Sequence, residues 1–361
     1  MNIMLRRLYS VSLKKPYSVL YFGSEEYACS MLSGILAFRD FSALIKRLVV
    51  VAPPSITTSS PTRSMHDLIK EKQLEKITFR KKVKDIEEYI EIQREKSECP
   101  FDIGIIGSFG RKVPGRMIDM FPAGMLVAHP SLLPKYRGPC PIQHAILNGE
   151  KETGITIIDI SKDVIDGGNI LWQSTCKIED TDNHYTLTGK CGALASEGLN
   201  QILNNLEEFR ERGRRQEDKE ATWAPMIKDS IFHWNELTPK QAVNFQRALY
   251  KSPSNPYSKI CLKNKWKYIT FDTLKEINKD SDLYRTVLAP VENKMVPGSV
   301  HWGTNKEDRD KFCIKCKDGW VYAEKIKMEG SDFVKGANFI KNQLGGKTFT
   351  YKLGDESNDK T

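Results

Sequence analysis

The sequence predicts an α/β fold in two parts: a parallel sheet covered by helices on both faces, then a smaller β-barrel built of short strands. Three observations predict it. Residues 17–36 read as strand, glycine turn and helix, which is how a βαβ unit opens. Unbroken apolar runs then alternate with amphipathic stretches as far as residue 128, and such runs suit strands buried on both faces. After residue 257, short strand-like runs follow one another at close spacing, the pattern of a small barrel.

Taken in order, YSVLYF (17–22) is the first strand, and Gly23-Ser24 turns the chain into a helix with apolar positions Ala28, Met31, Leu32 and Ile35. RLVVVA (47–52) is the second strand. A Pro/Ser/Thr loop spans 53–64, a helix spans 65–72, and a charged helix with one apolar stripe spans 83–96. IGIIG (103–107) and GMLVA (124–128) are the third and fourth strands. HPSLLPKYRGPCP (129–141) is a proline-rich, basic and therefore constrained loop. A helix begins at Ile142. Residues 154–160 and 169–176 alternate in polarity and pair as antiparallel strands, and a long helix spans 184–209. The charge-dense run 210–220 is the best linker in the chain. Beyond it, 239–250 is helical, strands are expected at 257–261, 265–271, 297–302, 312–316 and 320–327, and a last helix at 332–341. The expected divisions are a leader at 1–18, a catalytic domain at 19–209, a linker at 210–227 and a C-terminal domain at 228–361.

Composition narrows the function class. Of 361 residues, 40% are hydrophobic and 28% charged, which excludes collagen-like, disulfide-scaffold and wholly disordered chains. No apolar run is long enough for a membrane-spanning helix, so membrane insertion is not expected. The net charge of +9 is uneven: residues 226–361 carry 24 Lys and Arg against 17 Asp and Glu. A near-neutral body suits a small-molecule enzyme, and a basic appendage suits a polyanion such as nucleic acid. Residues 1–18 carry Arg6, Arg7, Lys14 and Lys15, several serines and no acid, the composition of a mitochondrial transit peptide. The eight scattered cysteines read as reduced thiols. Cys313 and Cys316 form a C-x-x-C, but no further ligand pair completes a zinc site, and Asp318-Gly319 marks a hairpin there instead. No metal site is expected. No G-x-G-x-x-G follows the first strand, and Gly346-Lys347-Thr348 lacks the upstream glycine of a phosphate loop.

Two elements carry the chemistry: His129-Pro130-Ser131 just past a strand, and Asp166-Gly167-Gly168 between two later strands. Ligands in open α/β sheets bind beyond the carboxyl ends of the strands, which is where His129 falls. A histidine there can shuttle a proton or donate to a developing oxyanion, and a carboxylate can orient it. Taken alone, the pair also fits an ordinary structural histidine.

The longer string HPSLLPKYRGPCPIQHAILNGEKETGITI (129–157), followed by Asp166-Gly167-Gly168, resembles the formyltransferase family that uses 10-formyltetrahydrofolate. SLLPKYRG and Pro141-Ile142-Gln143 favour its methionyl-tRNA formyltransferase branch over the glycinamide ribonucleotide branch. The resemblance extends to YFGSEEYA (21–28), GSFGRKVP (107–114), TWAPMIKDSIFHW (222–234) and VYAEKIKMEGSDFVKGANFI (321–340). It implies a Rossmann-like formyltransferase domain with a C-terminal OB-like β-barrel domain. It also implies transfer of a formyl group from 10-formyltetrahydrofolate to the α-amine of initiator methionyl-tRNA in the mitochondrial matrix, by a monomer. In this reading His129 and Asp166 are catalytic. Ser108, Phe109, Gly110, Arg111, Lys112 and Val113, with Asp163, Val164 and Ile165, embrace the pterin. Arg137 lies where the acceptor end approaches.

One departure bears on catalysis. The family triplet Asn-x-His is here Val127-Ala128-His129, so one side-chain donor is missing. Ser131 or a backbone N–H are candidates to replace it. An alternative reading is a tRNA-binding or translation-regulatory homologue with impaired catalysis; rivals among enzymes are a 10-formyltetrahydrofolate hydrolase and a purine-pathway formyltransferase. The loop 53–64 carries only Arg63 where a longer basic insertion is common, which shifts tRNA binding to the C-terminal domain. There Lys251, Lys259, Lys263, Lys265 and Lys267 interleave with Tyr257, Trp266 and Tyr268. Lysines bind phosphates and aromatics can stack on unpaired bases. Trp223 and Trp234 are expected to be packing residues.

Overall fold

A computed structural model of the chain describes residues 15–54, 63–78, 83–95, 100–251, 255–262, 265–303, 307–344 and 351–354. The leader before residue 15, most of the loop 53–64, Cys99, Lys263 and Gly346-Lys347-Thr348 lie outside the described residues, as does the side chain of Arg63. The structure divides into two compact units. The first holds the described residues up to Ala145, with Lys151–Asp180 and Thr186–Met226. The second holds Ile146–Glu150, Thr181–Tyr185 and the described residues from Ile227 onward.

The first unit is built on a seven-stranded sheet: β1 (Tyr17–Gly23), β2 (Ile45–Ala52), β3 (Glu75–Thr78), β4 (Ile103–Ser108), β5 (Met125–His129), β6 (Glu152–Asp159) and β7 (Ile170–Lys177). Their order is β3-β2-β1-β4-β5-β6-β7. The first five are parallel, while β6 runs antiparallel to β5 and β7 antiparallel to β6. Strand order reverses between β1 and β4, so the crevice beyond their carboxyl ends is the natural ligand site of this Rossmann-like unit. Every residue of β1 is buried, as a central strand covered on both faces requires. On one face Phe22 meets Phe109 and Phe121 edge-on at 5.1 and 6.5 Å, within a core that includes Leu20, Val49 and Ile106. Burying each such side chain contributes about 1.5–3 kcal/mol. The other face takes α1 (Glu26–Leu36), which buries Tyr27, Ala28, Met31, Leu32 and Ile35, a single helical stripe. The remaining helices are α2 (Phe41–Leu44), α3 (Arg63–Glu71), α4 (Lys84–Arg94), α5 (Gly115–Ile118), α6 (Pro141–Leu147), α7 (His184–Asn204) and α8 (Leu206–Glu211), of which the end of α6 and the start of α7 belong to the second unit.

Several segments differ from expectation: β3 was not foreseen, and the long helix expected over 184–209 breaks at Asn205 (φ −141°) into α7 and α8. β1 starts at Tyr17, inside the expected leader. Residues 210–226, expected as a linker, bond to the first unit as a strap. Arg210 grips the Asp159 carboxylate at 2.8 Å and the Ala123 carbonyl at 2.6 Å. Ile170 and Arg214 exchange both backbone hydrogen bonds, at 2.8 and 3.0 Å. Trp223 bridges in parallel to Arg137, through Arg137 N–H to Thr222 C=O (2.9 Å) and Ala224 N–H to Arg137 C=O (2.7 Å). Apart from Arg210, the charged residues of 210–220 are exposed, on a segment whose backbone is paired to the sheet at Arg214.

In the second unit α9 (Pro239–Leu249) begins with a capping box: Gln241 N–H donates to Thr238 Oγ1, and Thr238 N–H donates to Gln241 Oε1. Its sheet comprises β8 (Ser258–Leu262), β9 (Lys265–Phe271), β10 (Leu274–Glu276), β11 (Ser299–Trp302), β12 (Phe312–Lys315), β13 (Trp320–Ala323), β14 (Lys325–Met328), β15 (Val334–Lys335) and β16 (Tyr351–Gly354). The order is β10-β13-β12-β11-β16-β8-β9-β14-β15. The strand expected at 320–327 is two strands meeting at Glu324. β13 pairs with β10 and β12, whereas β14 pairs with β9 and β15. The edge strands β10 and β15 do not pair with each other among the described residues, so hydrogen bonding does not close the expected barrel. Phe232 and Trp234 stack at 4.6 Å in the core, where Trp234 Nε1–H donates to Ser258 Oγ. The last helix, α10, is Gly336–Gln343. Among the described residues no helix is long and apolar enough to cross a membrane.

Candidate active site

His129 closes β5 at the carboxyl end of the sheet and is 5% exposed. Its Nε2 lies 2.8 Å from the Tyr136 carbonyl. A carbonyl only accepts, so Nε2 carries the proton. The other nitrogen, Nδ1, faces Asp166 Oδ2 at 3.7 Å. The backbone beneath is fixed from α1: the Tyr27 hydroxyl donates to the Ala128 carbonyl at 3.0 Å, and burial raises that phenol well above its ordinary pKa.

Bringing Asp166 to this place takes an unusual path. β6 leaves the sheet at Asp159, which stands opposite Leu126, whereas His129 stands opposite Thr156. At about 3.3 Å per residue the connection starts some 10 Å from His129 along the strand. Residues 160–168 therefore run back along the sheet. Lys162 lies against Gly115 and pairs with Asp119, and Ser161 Oγ accepts the N–H groups of Asp163 and Val164. Asp166 adopts the left-handed conformation (φ 53°), which aspartate tolerates better than most residues. Its Oδ2 accepts the Gly138 N–H at 2.9 Å. Gly168 must be glycine, because a Cβ there would lie 1.6 Å from the Asp159 carbonyl oxygen.

The loop after His129 is held by a buried polar network. Thr156 Oγ1 donates to the Ser131 carbonyl (2.7 Å) and accepts from Leu133 N–H (3.0 Å) and Gln173 Nε2–H (2.8 Å). Gln173 Nε2 also donates to the Leu133 carbonyl, and its Oε1 accepts from Arg214. Ser131, a candidate donor in place of the missing asparagine, does not serve: it is fully buried and its hydroxyl donates to the Lys135 carbonyl at 2.7 Å. Val127 lies against Leu133, Ile158 and Ile170, an apolar patch two residues before His129 on the same face.

Arg137 also departs from expectation. It is 2% exposed, and its guanidinium is spent on Gln216 Oε1 and Asp218 Oδ1 instead of facing an incoming acceptor. Trp223, expected to be packed, is 57% exposed. Of the first segment expected to embrace the pterin, Ser108 is tied to the start of α1, its carbonyl accepting Ser24 N–H and its Oγ accepting Glu25 N–H. Phe109 and Val113 are buried, while Gly110, Arg111 and Lys112 are exposed. In the second, Asp163, Val164 and Ile165 are exposed. Sequence reasoning missed Thr156, Gln173 and Gln216, because single polar residues in strands or in a charged run carry no pattern.

In the second unit the expected lysines are divided. Lys259 pairs across the strands with Tyr268, and its Nζ lies 5.6 Å from the centre of that ring. Lys265 and Lys267 fall on the opposite face by strand alternation. Lys251 stands 4.4 Å above the Tyr185 ring. Thr270 pairs with Lys327, so Lys259, Tyr268 and Lys327 share a face. Among the described residues no group of three His, Cys, Asp or Glu could hold a metal ion.

The formyl transferase family model matches residues 47–203, a span that includes His129 and Asp166. The methionyl-tRNA formyltransferase of Homo sapiens mitochondria is 30% identical over 341 residues, covering 90% of this chain and 78% of that protein. The chain belongs to the methionyl-tRNA formyltransferase family. The mitochondrial methionyl-tRNA formyltransferase of Rattus norvegicus is likewise 30% identical, over 92% of this chain and 81% of that protein. In fold, the chain is similar to WlaRD, a sugar 3N-formyl transferase solved in the presence of dTDP and 5-N-formyl-THF. The TM-score is 0.53 at 17% identity, covering 88% of this chain and 99% of that one. Val127 stands where the resemblance leads one to expect an asparagine, and its side chain cannot donate a hydrogen bond.

Proposed function

We propose that this chain formylates the α-amine of initiator methionyl-tRNA, with 10-formyltetrahydrofolate as donor, in the mitochondrial matrix. The observation that carries the reading is the opposition of His129 Nδ1 and Asp166 Oδ2 at the carboxyl end of β5. Family membership supports the reaction class and the folate donor, and mitochondrial relatives together with the basic leader support the location. The donor supplies an electrophilic formyl carbon. Ser108–Val113 and Asp163–Ile165 are assigned to hold it. The exposed apolar side chains of Val164 and Ile165, and the open space beside Gly110, suit a flat ring.

With Nε2–H donating to Tyr136, Nδ1 is free to take the proton that the amine gives up as it bonds to the formyl carbon, and to return it to the tetrahydrofolate nitrogen as the bond from that nitrogen to the formyl carbon breaks. Asp166 then stabilises the imidazolium between side chains only 6% and 15% exposed, where such a charge interaction is stronger than in water. The oxyanion donor is assigned to a backbone N–H, since Val127 and Ser131 cannot supply one. The OB-like assignment of the second unit rests on its succession of short antiparallel strands, and its tRNA-backbone role on its basic charge and on the face shared by Lys259, Tyr268 and Lys327. None of the observations favours the non-catalytic reading.

The test is a formyl-transfer assay with 10-formyltetrahydrofolate and methionyl-tRNA. The expected product is formyl-methionyl-tRNA. Formate alone would replace transfer by hydrolysis, and tRNA binding without either product would overturn the enzymatic reading.

A further inference from the structure

We infer that Gln216 is the positioning residue that sets the catalytic geometry, holding the Asp166 loop on the turn that carries Gly138. Gln216 is 6% exposed and lies in the strap, far in sequence from both partners. Its Nε2 donates to the Asp166 carbonyl at 2.7 Å and to the Gly168 carbonyl at 2.8 Å. Its Oε1 accepts from Arg137 Nε at 3.2 Å and Nη2 at 2.9 Å. Two carbonyls at one end and two guanidinium N–H groups at the other allow only one orientation of the amide. Both protons and both lone-pair directions are used. Arg137 is anchored in turn to Asp218 at 2.9 Å.

The consequence concerns Asp166. Among the described residues its carboxylate is held by a single hydrogen bond, from Gly138 N–H, and its backbone sits in a sparsely populated conformation. The connection returns some 10 Å along the sheet, and among the described residues the Gln216 amide is the only side chain hydrogen-bonded to the Asp166 carbonyl. Gln216 touches neither the amine nor the formyl carbon. It acts through the backbone of 166–168, so its loss should slow the chemical step and leave substrate binding in place.

The discriminating variant is Gln216→Glu. An ionised carboxylate keeps, and strengthens, the acceptor for Arg137 but turns an oxygen toward two carbonyls. A residue that serves only to anchor Arg137 would tolerate this change. A positioning residue would not: kcat falls about 100-fold, the expected cost of roughly 1 Å of misplacement, with KM for both substrates little changed. Acidification, which protonates the introduced carboxylate and restores one donor, raises the rate relative to wild type. A readout independent of turnover is amide exchange at Gly138. It accelerates at least about tenfold in Gln216→Glu while the Ile170 and Arg214 amides stay protected. Wild-type exchange at Gly138 or undiminished kcat would overturn the inference. If Gln216→Glu does not fold, Gln216→Asn serves: its shorter amide cannot span both sides, and wild-type exchange and kcat in that variant would be equally fatal. The inference rests on the transferase reading for its kinetic arm only. A wild-type chain that makes no formyl-methionyl-tRNA would remove that reading, while the exchange result would still decide the role of Gln216.

Discussion

Replacing Asp166 by asparagine removes one charge and almost nothing else. The amide oxygen can still accept the Gly138 N–H, and asparagine tolerates a φ of 53° as aspartate does. What disappears is the charge facing His129 Nδ1 at 3.7 Å, between side chains only 6% and 15% exposed. Two unit charges at that separation interact with about 4 kcal/mol at an effective dielectric of 20. Part of this is offset, because the carboxylate no longer has to be desolvated. A net loss of about 3–4 kcal/mol corresponds to a factor of about 10²–10³ in kcat. The assay is steady-state formation of formyl-methionyl-tRNA at saturating donor and acceptor, alongside thermal unfolding to show that the fold is kept. A variant within about tenfold of wild-type kcat would refute the view that Asp166 stabilises an imidazolium at His129.

Further outcomes follow from the same geometry. Thr156→Val leaves the Ser131 carbonyl, the Leu133 N–H and one Gln173 proton without their shared partner, and should cost about 2–4 kcal/mol in denaturant unfolding, with Thr156→Ser near wild type; an unchanged midpoint would count against the network. Val127→Asn places an amide against Leu133, Ile158 and Ile170, so it should lower stability by about 1–3 kcal/mol and shift kcat less than about tenfold; a larger gain in turnover would show a site waiting for that donor. Burial lowers the pKa of His184 to about 4 from 6.5, and its Nδ1 has no hydrogen-bond partner among the described residues. The unfolded chain therefore binds this proton first, and His184 contributes stability above pH 6.5 that is lost as pH falls toward 4, by about 3 kcal/mol in all. Unfolding at stepped pH should show His184→Gln with a flatter acid limb, and identical slopes would dismiss the argument. Lys259→Gln with Lys327→Gln should weaken tRNA binding and lower the slope of log affinity against log salt by about 1–2; an unchanged slope would place the phosphates elsewhere.

The parallel sheet was legible because the runs Val19–Phe22, Leu48–Ala52, Ile103–Ile106 and Met125–Ala128, inside β1, β2, β4 and β5, carry no charged or strongly polar side chain, as strands covered on both faces require. β3 was missed because Glu75-Lys76-Ile77-Thr78 is an edge strand with one buried residue, and its charges hide it. The run 320–327 reads as one strand because nothing local marks Glu324 as a corner; only the pairing partners on either side do. His129 and Asp166 stood out through their placement after strands and through the string around them. The inward turn of Arg137 was invisible. A basic residue beside a glycine turn reads as a surface charge until its partner, Gln216, is known to lie 79 positions away. Trp223 misled in the opposite sense, since a tryptophan at an expected domain junction reads as packing, yet its backbone is paired and its ring is exposed.

The corner at Glu324 has a bearing on how this protein can change over time. One residue separates a strand near one edge of the nine-stranded sheet from a strand near the other, so a single stretch of backbone sets the register at both. An inserted or deleted residue within β13 or β14 would invert the inside and outside of the side chains that follow it in that strand. The turns between other strands can lengthen at little cost. Here the chain can accept new side chains but not a new length.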